Sequence, residues 1–183
     1  MEQVYVFLAD GFEEIEGLTV VDILRRAGIE VQTVSIMGRK EIYGSHKITV
    51  MADCLLEDAD LSGAKVLVLP GGLKGTENLE KCTPLLEALK QAAGDGRRVA
   101  AICAAPRVLA GLELLDGKDA VVHPSMESHL TNAKLLKVPT VTDGMITTGR
   151  GMGAAIDFSL ELVRLLAGQE KVDEVAAGIV YCK

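Results

Sequence analysis

Cys103 is the residue whose surroundings in the chain most suggest covalent chemistry. It ends an apolar run at 98–102 and is followed at once by a helix-forming run at 104–115. The short apolar stretch after Arg98 suits a strand covered on both faces of a parallel sheet. In 104–115, Val108, Leu112 and Leu115 recur at helical spacing, and Pro106 falls in the first turn, where proline is tolerated. A side chain on such a strand-to-helix turn points out of the sheet, beside unpaired N–H groups and a positive dipole end that favour thiolate over thiol. The pattern resembles a nucleophile elbow, with Ala101-Ile102-Cys103-Ala104-Ala105 replacing the usual G-x-S-x-G and small residues standing for glycines. The same placement also fits a buried, inert core thiol.

Other residues could serve such a thiol. Glu16 shares a helical face with Val20, Ile23 and Ala27, which puts a carboxyl at the entry of an apolar stripe. With Glu13 and Glu14 it would equally complement the positive end of its helix. Gly71-Gly72 after Pro70 is a generic strand-ending turn, but two glycines also leave backbone N–H groups free to approach an anion or oxyanion. His123, before Pro124, reads as an extended loop residue at the end of a further strand. Gly149-Arg150-Gly151-Met152-Gly153 lacks the G-x-G-x-x-G spacing and any following strand with a ribose-binding acid, so it is not a dinucleotide fingerprint. Its N–H groups and Arg150 either bind an anion or simply start a helix. Cys54, Cys82, Cys103 and Cys182 form no C-x-x-C pair and no metal spacing with His46, His123 or His129, so free thiols and no metal are expected.

The elements that must position these residues alternate. Residues 3–8 read as an apolar strand, 9–12 as a turn, 13–27 as a helix closed by Gly28, and 30–35 as the second strand of a β-α-β unit. Residues 41–51 read as a hairpin around Gly44-Ser45, 52–63 as an acidic loop, 65–69 as a buried strand, 83–93 as an amphipathic helix and 94–96 as a turn. Short strands at 119–122, 138–141 and 145–148 and helices at 154–167 and 170–180 complete the reading. This predicts an α/β fold with a mostly parallel sheet and helices on both faces, its ligands beyond the carboxyl ends of the strands. Cys103, Gly71-Gly72 and His123 all fall there.

No repeat, low-complexity tract or linker interrupts the chain, so residues 1–183 are expected to form a single domain. With 49% hydrophobic and 3% aromatic residues the interior is aliphatic. A net charge of −7 without a basic stripe argues against a nucleic-acid-binding surface or an anionic membrane and points to small substrates. Neither a signal peptide nor an uncharged apolar run of about 18 residues is read, so a cytoplasmic protein is expected.

Ala9-Asp10-Gly11-Phe12-Glu13-Glu14-Ile15-Glu16, Val21-Asp22-Ile23-Leu24-Arg25-Arg26-Ala27-Gly28, Leu69-Pro70-Gly71-Gly72, Ala101 to Pro106 and the segment from Arg150-Gly151 to Phe158 appear in order across nearly the whole chain. Together they resemble the DJ-one/ThiJ/PfpI superfamily, in the branch of the Parkinson's-disease-linked protein deglycase and its bacterial relatives. The resemblance implies a flavodoxin-like three-layer sandwich, a homodimer, and no metal or organic cofactor. It implies Cys103 as nucleophile, Glu16 as the acid touching its sulfur, His123 as a histidine near the cysteine, and backbone N–H groups of Gly72 and Ala104 as oxyanion donors. Gly71 and Arg150 complete the expected substrate-binding set. Ala104 stands where the PfpI branch has histidine, so a Cys-His dyad of that kind is absent and peptidase activity is disfavoured.

On this resemblance the chain is expected to be a cysteine-dependent glyoxalase or deglycase. A Glu16 kept neutral by apolar surroundings would donate a hydrogen bond to sulfur and, with the helix N-terminus, hold the thiol below its free value of about 8.5. The thiolate adds to an α-oxoaldehyde such as methylglyoxal, or to its early adduct on a protein or nucleotide. Glu16, with His123, moves a proton between the carbons, and water releases a hydroxy acid such as lactate without glutathione. The alternative is an oxidative-stress sensor or redox-regulated chaperone, in which Cys103 is oxidised to sulfinic acid and Glu16 hydrogen-bonds the added oxygen.

Overall fold

The computed structural model describes residues 3–182. In chain order its elements are β1 (Gln3–Leu8), α1 (Glu14–Arg26), β2 (Glu30–Ser35), β3 (Glu41–Tyr43), β4 (Thr49–Met51), β5 (Cys54–Leu55), β6 (Ala64–Leu69), α2 (Leu73–Glu80), α3 (Thr83–Gly94) and β7 (Arg98–Ile102). They continue with α4 (Pro106–Gly111), β8 (Asp119–Ala120), β9 (Lys134–Leu135), β10 (Thr140–Asp143), β11 (Ile146–Gly149), α5 (Ala155–Ala167) and α6 (Gln169–Gly178). A seven-stranded sheet runs β10-β11-β7-β6-β1-β2-β5. Its pairings are parallel except for the β10–β11 hairpin at one edge.

The pleat sorts side chains into two cores. Val4, Val6 and Leu8 of β1 pack with Val20, Ile23 and Leu24 of α1 and with Phe158, Leu162 and Val163 of α5. Tyr5 and Phe7 face the other way, toward Leu85 and Leu89 of α3 and Val108 and Leu109 of α4. Helices therefore cover both faces, a flavodoxin-like α/β sandwich. After β1 the chain builds β2 on one side and later β6 on the other, so the strand order reverses between β1 and β6. The crevice at such a reversal, beyond the carboxyl ends, is where ligands bind in open α/β sheets. Among the described residues no helix is long and apolar enough to cross a membrane.

The ends of the helices show how local signals succeed and fail. Helix α1 closes at Gly28 (φ +75°), with Gly28 N–H donating to Arg25 O at 3.0 Å and Ile29 N–H to Leu24 O at 3.0 Å, a glycine-ended Schellman motif. Helix α4 ends at Gly111, before the predicted limit at Leu115. The same motif stops it: Glu113 sits at φ +60°, its N–H donates to Ala110 O at 2.9 Å, and Leu114 N–H donates to Leu109 O at 3.0 Å. Glutamate in the left-handed position carries no stop signal in the sequence, so the run reads as continuous to Leu115.

Other departures have equally local causes. Helix α2 leaves no amphipathic trace in the sequence, because Leu73 is exposed and Leu79 is its one large buried residue. The acidic loop contains β5, secured by the Asp53 carboxylate, which accepts from Thr33 N–H at 2.8 Å. The strand predicted over 119–122 ends at Ala120 because Val121 N–H donates to the Thr148 side chain at 2.9 Å. The later pair is shifted to Thr140–Asp143 and Ile146–Gly149 by a turn at Gly144 (φ +63°).

Candidate active site

Four strand ends deliver the site. Cys103 leaves β7 at φ +64°, a conformation that costs an L-residue roughly 1–2 kcal/mol. It is held there from both sides: its N–H donates to Gly149 O at 2.9 Å, and its carbonyl accepts from His123 N–H at 2.9 Å. This strained strand-to-helix turn is the elbow geometry, and it leaves the cysteine partly exposed.

Glu16 lies in the first turn of α1 and is 1% exposed. The Glu13 side chain caps the helix by accepting Glu16 N–H at 2.8 Å. Oε2 of Glu16 accepts from Gly71 N–H at 2.9 Å, whereas Oε1 is buried without a conventional hydrogen-bond partner, and the carboxyl interacts with the Cys103 thiol. A bare buried carboxylate oxygen is costly, so Oε1 is the atom suited to carry a proton.

The double glycine is dictated by crowding. A Cβ on Gly71 would collide with Glu16 Oε2 and stand 2.6 Å from Cys103 Cβ. Gly72 has φ +90°, and a Cβ there would strike Gly11 O and lie 2.7 Å from Glu13 N. Gly71 O also accepts Glu13 N–H at 2.9 Å, tying the β6 end to the start of α1. As a result the N–H groups of Gly72 and Ala104 both reach the Cys103 sulfur.

Protonation differs from the sequence-based expectation. Burial, followed by the charge and hydrogen bond of Glu16, pushes the thiol up to about 12, against which the Gly72 and Ala104 N–H groups pull down. A thiol held below its free value is thus corrected: the resting sulfur keeps its proton. The helix end contributes little, because α4 is only six residues long and opens on Pro106, which has no N–H. Burial also raises Glu16, to about 7, partly countered by the Cys103 interaction and helped by the charge of Glu13. The two groups form one coupled unit whose acid is poised near neutrality.

Two clefts of about 690 and 620 Å³ meet at this unit, and Glu13, His46, Cys103 and His123 line both. The His123 ring is exposed, and among the described residues its hydrogen bonds go to Ser125, with Nδ1 accepting Ser125 N–H at 3.3 Å and lying 2.8 Å from its Oγ. It stands at the mouth and makes no hydrogen bond to the sulfur. Arg150 lines the larger cleft, donates to Leu136 O at 3.4 Å and lies 3.9 Å from Glu127.

Sequence reasoning passed over His46 and saw Glu13 only as a helix charge. The one available signal was a histidine beside the Gly44-Ser45 turn of the hairpin. Glu13, Glu14 and His46 bring three potential metal-ligating atoms within 4.8 Å. Glu14 and His46 are, however, already hydrogen-bonded to one another at 3.0 Å.

An elbow cysteine beside a buried acid, at the reversal point of a parallel sheet, defines a flavodoxin-like sandwich with a cysteine-centred crevice. The DJ-1/PfpI family profile matches residues 2–165. The chain is 38% identical to Arabidopsis thaliana protein DJ-1 homolog B over 98% of its own length, spanning 41% of that relative. It is 30% identical, over 90% of its length, to a Pyrococcus abyssi protein named a deglycase, 99% of which it covers. The structure of oxidized Toxoplasma gondii DJ-1 matches with a TM-score of 0.96 at 31% identity, covering 100% of both chains. The chain belongs to the DJ-1/PfpI family.

Proposed function

We propose that the protein is a cysteine-dependent glyoxalase or deglycase acting on α-oxoaldehydes or their early adducts. The observation that carries this is the buried, unpartnered Oε1 of Glu16 beside a thiol that needs a base. As sulfur attacks the aldehyde carbon, the Glu16 carboxylate takes the thiol proton while Gly72 and Ala104 N–H groups stabilise the developing oxyanion, and Glu16 then passes that proton to the oxyanion, leaving a hemithioacetal and a free carboxylate again. Glu16 then removes the proton from the former aldehyde carbon and returns one to the neighbouring carbon, converting the hemithioacetal to a thioester. Water cleaves the thioester to a hydroxy acid and restores the thiol. His123 supports this as a hydrogen-bond donor at the cleft mouth, and Arg150 holds polar parts of larger adducts. A group poised near 7 suits both halves of a proton shuttle. The name of the Pyrococcus abyssi relative supports the deglycase form of the reading.

The test is aldehyde-to-acid conversion without glutathione by the wild type and Cys103→Ser, with the product acid identified. Lactate from methylglyoxal in the wild type alone is expected; none from either protein would sink the proposal. A second reading, oxidation sensing, is supported by the oxidized Toxoplasma gondii relative and by the same bare oxygen, which would hydrogen-bond an oxygen added to sulfur. Stoichiometric peroxide oxidation of Cys103 without aldehyde turnover would favour it. Exposed Ile15 and Leu18 of α1 and Ile48 and Met51 of the β3–β4 hairpin support a homodimer, and four free thiols fit a cytoplasmic location.

A further inference from the structure

Glu14 is 2% exposed, and apart from its own backbone N–H the groups that hydrogen-bond its carboxylate come from the turn between β3 and β4. It accepts His46 N–H at 2.7 Å, His46 Nδ1 at 3.0 Å and Ser45 Oγ at 3.1 Å. Gly44 is required for this approach, since a Cβ there would collide with the Glu14 side chain. The turn is also pinned to the loop before α1, with Ser45 N–H donating to Phe12 O at 2.9 Å and Gly11 N–H to Tyr43 O at 2.7 Å. Although burial alone would raise Glu14, the hydrogen bonds from the His46 side chain, its own N–H, the His46 N–H and Ser45 take it down to about 2, so it is a permanent anion at working pH.

That anion fixes the imidazole. Nδ1–H donates to Glu14, which leaves Nε2 as the basic nitrogen, and the Glu14 hydrogen bond and charge, with the lesser charge of Glu13 at 3.8 Å, raise the ring's affinity for a proton. His123 is arranged the opposite way: its Nδ1 accepts from Ser125, so in the neutral ring Nε2 carries the hydrogen and can only donate. Both rings line the two clefts that contain Cys103. The mouth therefore holds one histidine preset as a donor and one preset as a base. Glu16 is 1% exposed beside the sulfur, whereas the His46 side chain is mostly exposed at the cleft.

We infer that His46, oriented by Glu14, is the base of the hydrolytic half-reaction, taking a proton from the water that attacks the Cys103 thioester. This rests on the glyoxalase reading above. The water oxygen bonds to the thioester carbonyl carbon as its proton passes to His46 Nε2. Collapse of the tetrahedral adduct breaks the C–S bond, the proton goes to the departing sulfur, and thiol and hydroxy acid result with no other reactant. Glu14 acts through His46 and is a positioning residue.

The experiment pairs rapid-quench intact mass spectrometry with steady-state lactate formation from methylglyoxal, on the wild type, His46→Gln and Glu14→Gln. In His46→Gln a Cys103-bound acyl adduct should accumulate, lactate formation should fall about a hundredfold, and added imidazole should restore part of it. In Glu14→Gln the pH midpoint for adduct breakdown should move to lower pH, a shift that a purely structural role would not produce. Unchanged lactate formation in His46→Gln, or a fall without adduct accumulation and without imidazole rescue, would overturn the assignment. Failure of the wild type to form lactate would instead remove the parent reading, so the two failures are distinguishable.

Discussion

Glu16 and Cys103 owe their properties to each other. Glu16 is buried and Cys103 partly so, and a negative charge on either opposes a charge on the other, so the first proton lost near neutrality comes from the carboxyl and the thiol holds its own. Glu16→Gln should therefore have two opposite effects. Turnover should fall about a hundredfold or more because the shuttle is lost. Iodoacetamide should alkylate Cys103 faster at neutral pH, because the anion that raises the thiol is gone. Parallel assays of alkylation and aldehyde conversion on one preparation check both, and full turnover would leave Glu16 a structural residue. Gly71→Ala tests the contact itself. The new methyl would be forced between Glu16 Oε2 and Cys103 Cβ, so activity should drop at least tenfold while overpacking costs about 1–3 kcal/mol, read from kcat and thermal melting.

The first turn of α1 carries two carboxyls with opposite pH behaviour. Glu14 is held at about 2, below its unfolded value of 4.5, so its stabilisation is full above pH 4.5 and is lost as pH falls toward 2. Glu16 is raised from 4.5 to about 7, so the folded state binds the extra proton between those values, and stability falls as pH rises from 4.5 to about 7. The Glu16 shift corresponds to roughly 3 kcal/mol. Urea unfolding from pH 3 to 8 should show the wild type losing stability across the upper window and Glu16→Gln losing much less. An unchanged slope in the variant would mean that Glu16 titrates normally. The elbow shows a similar trade: the left-handed backbone at Cys103 persists because strand β11 and the His123 segment hold it on both sides.

At the scale of the whole molecule, the sheet order explains why residues from α1, β6 and β7 meet. β1 and β6 are neighbours at the reversal and β7 lies next to β6, so their carboxyl ends open into one crevice. Beside it, α1 and the β3–β4 hairpin expose Ile15 at 51%, Ile48 at 52% and Met51 at 64%, an apolar surface suited to a second copy. Replacing Ile48 and Met51 together by Asp should shift the proposed dimer to a monomer in sedimentation velocity. A wild type that sediments as a monomer would dismiss this surface as a self-association face.

Much of this arrangement was legible in the sequence, because side-chain periodicity and turn residues act over a few residues. The short apolar runs of β1 and β7, the glycine that closes α1 and the small residues flanking Cys103 each leave a local trace, and a parallel sheet confines ligands to its carboxyl ends. Where an unusual residue does the usual job the trace disappears, as at Glu113, which ends α4 in a conformation normally left to glycine. Only the tertiary structure decided that Glu16 lies against Cys103, that a hairpin histidine joins the cleft, and that the thiol is raised and not lowered. Desolvation and Coulomb energy depend on what distant segments bring within a few ångströms, and no local pattern of residues encodes that.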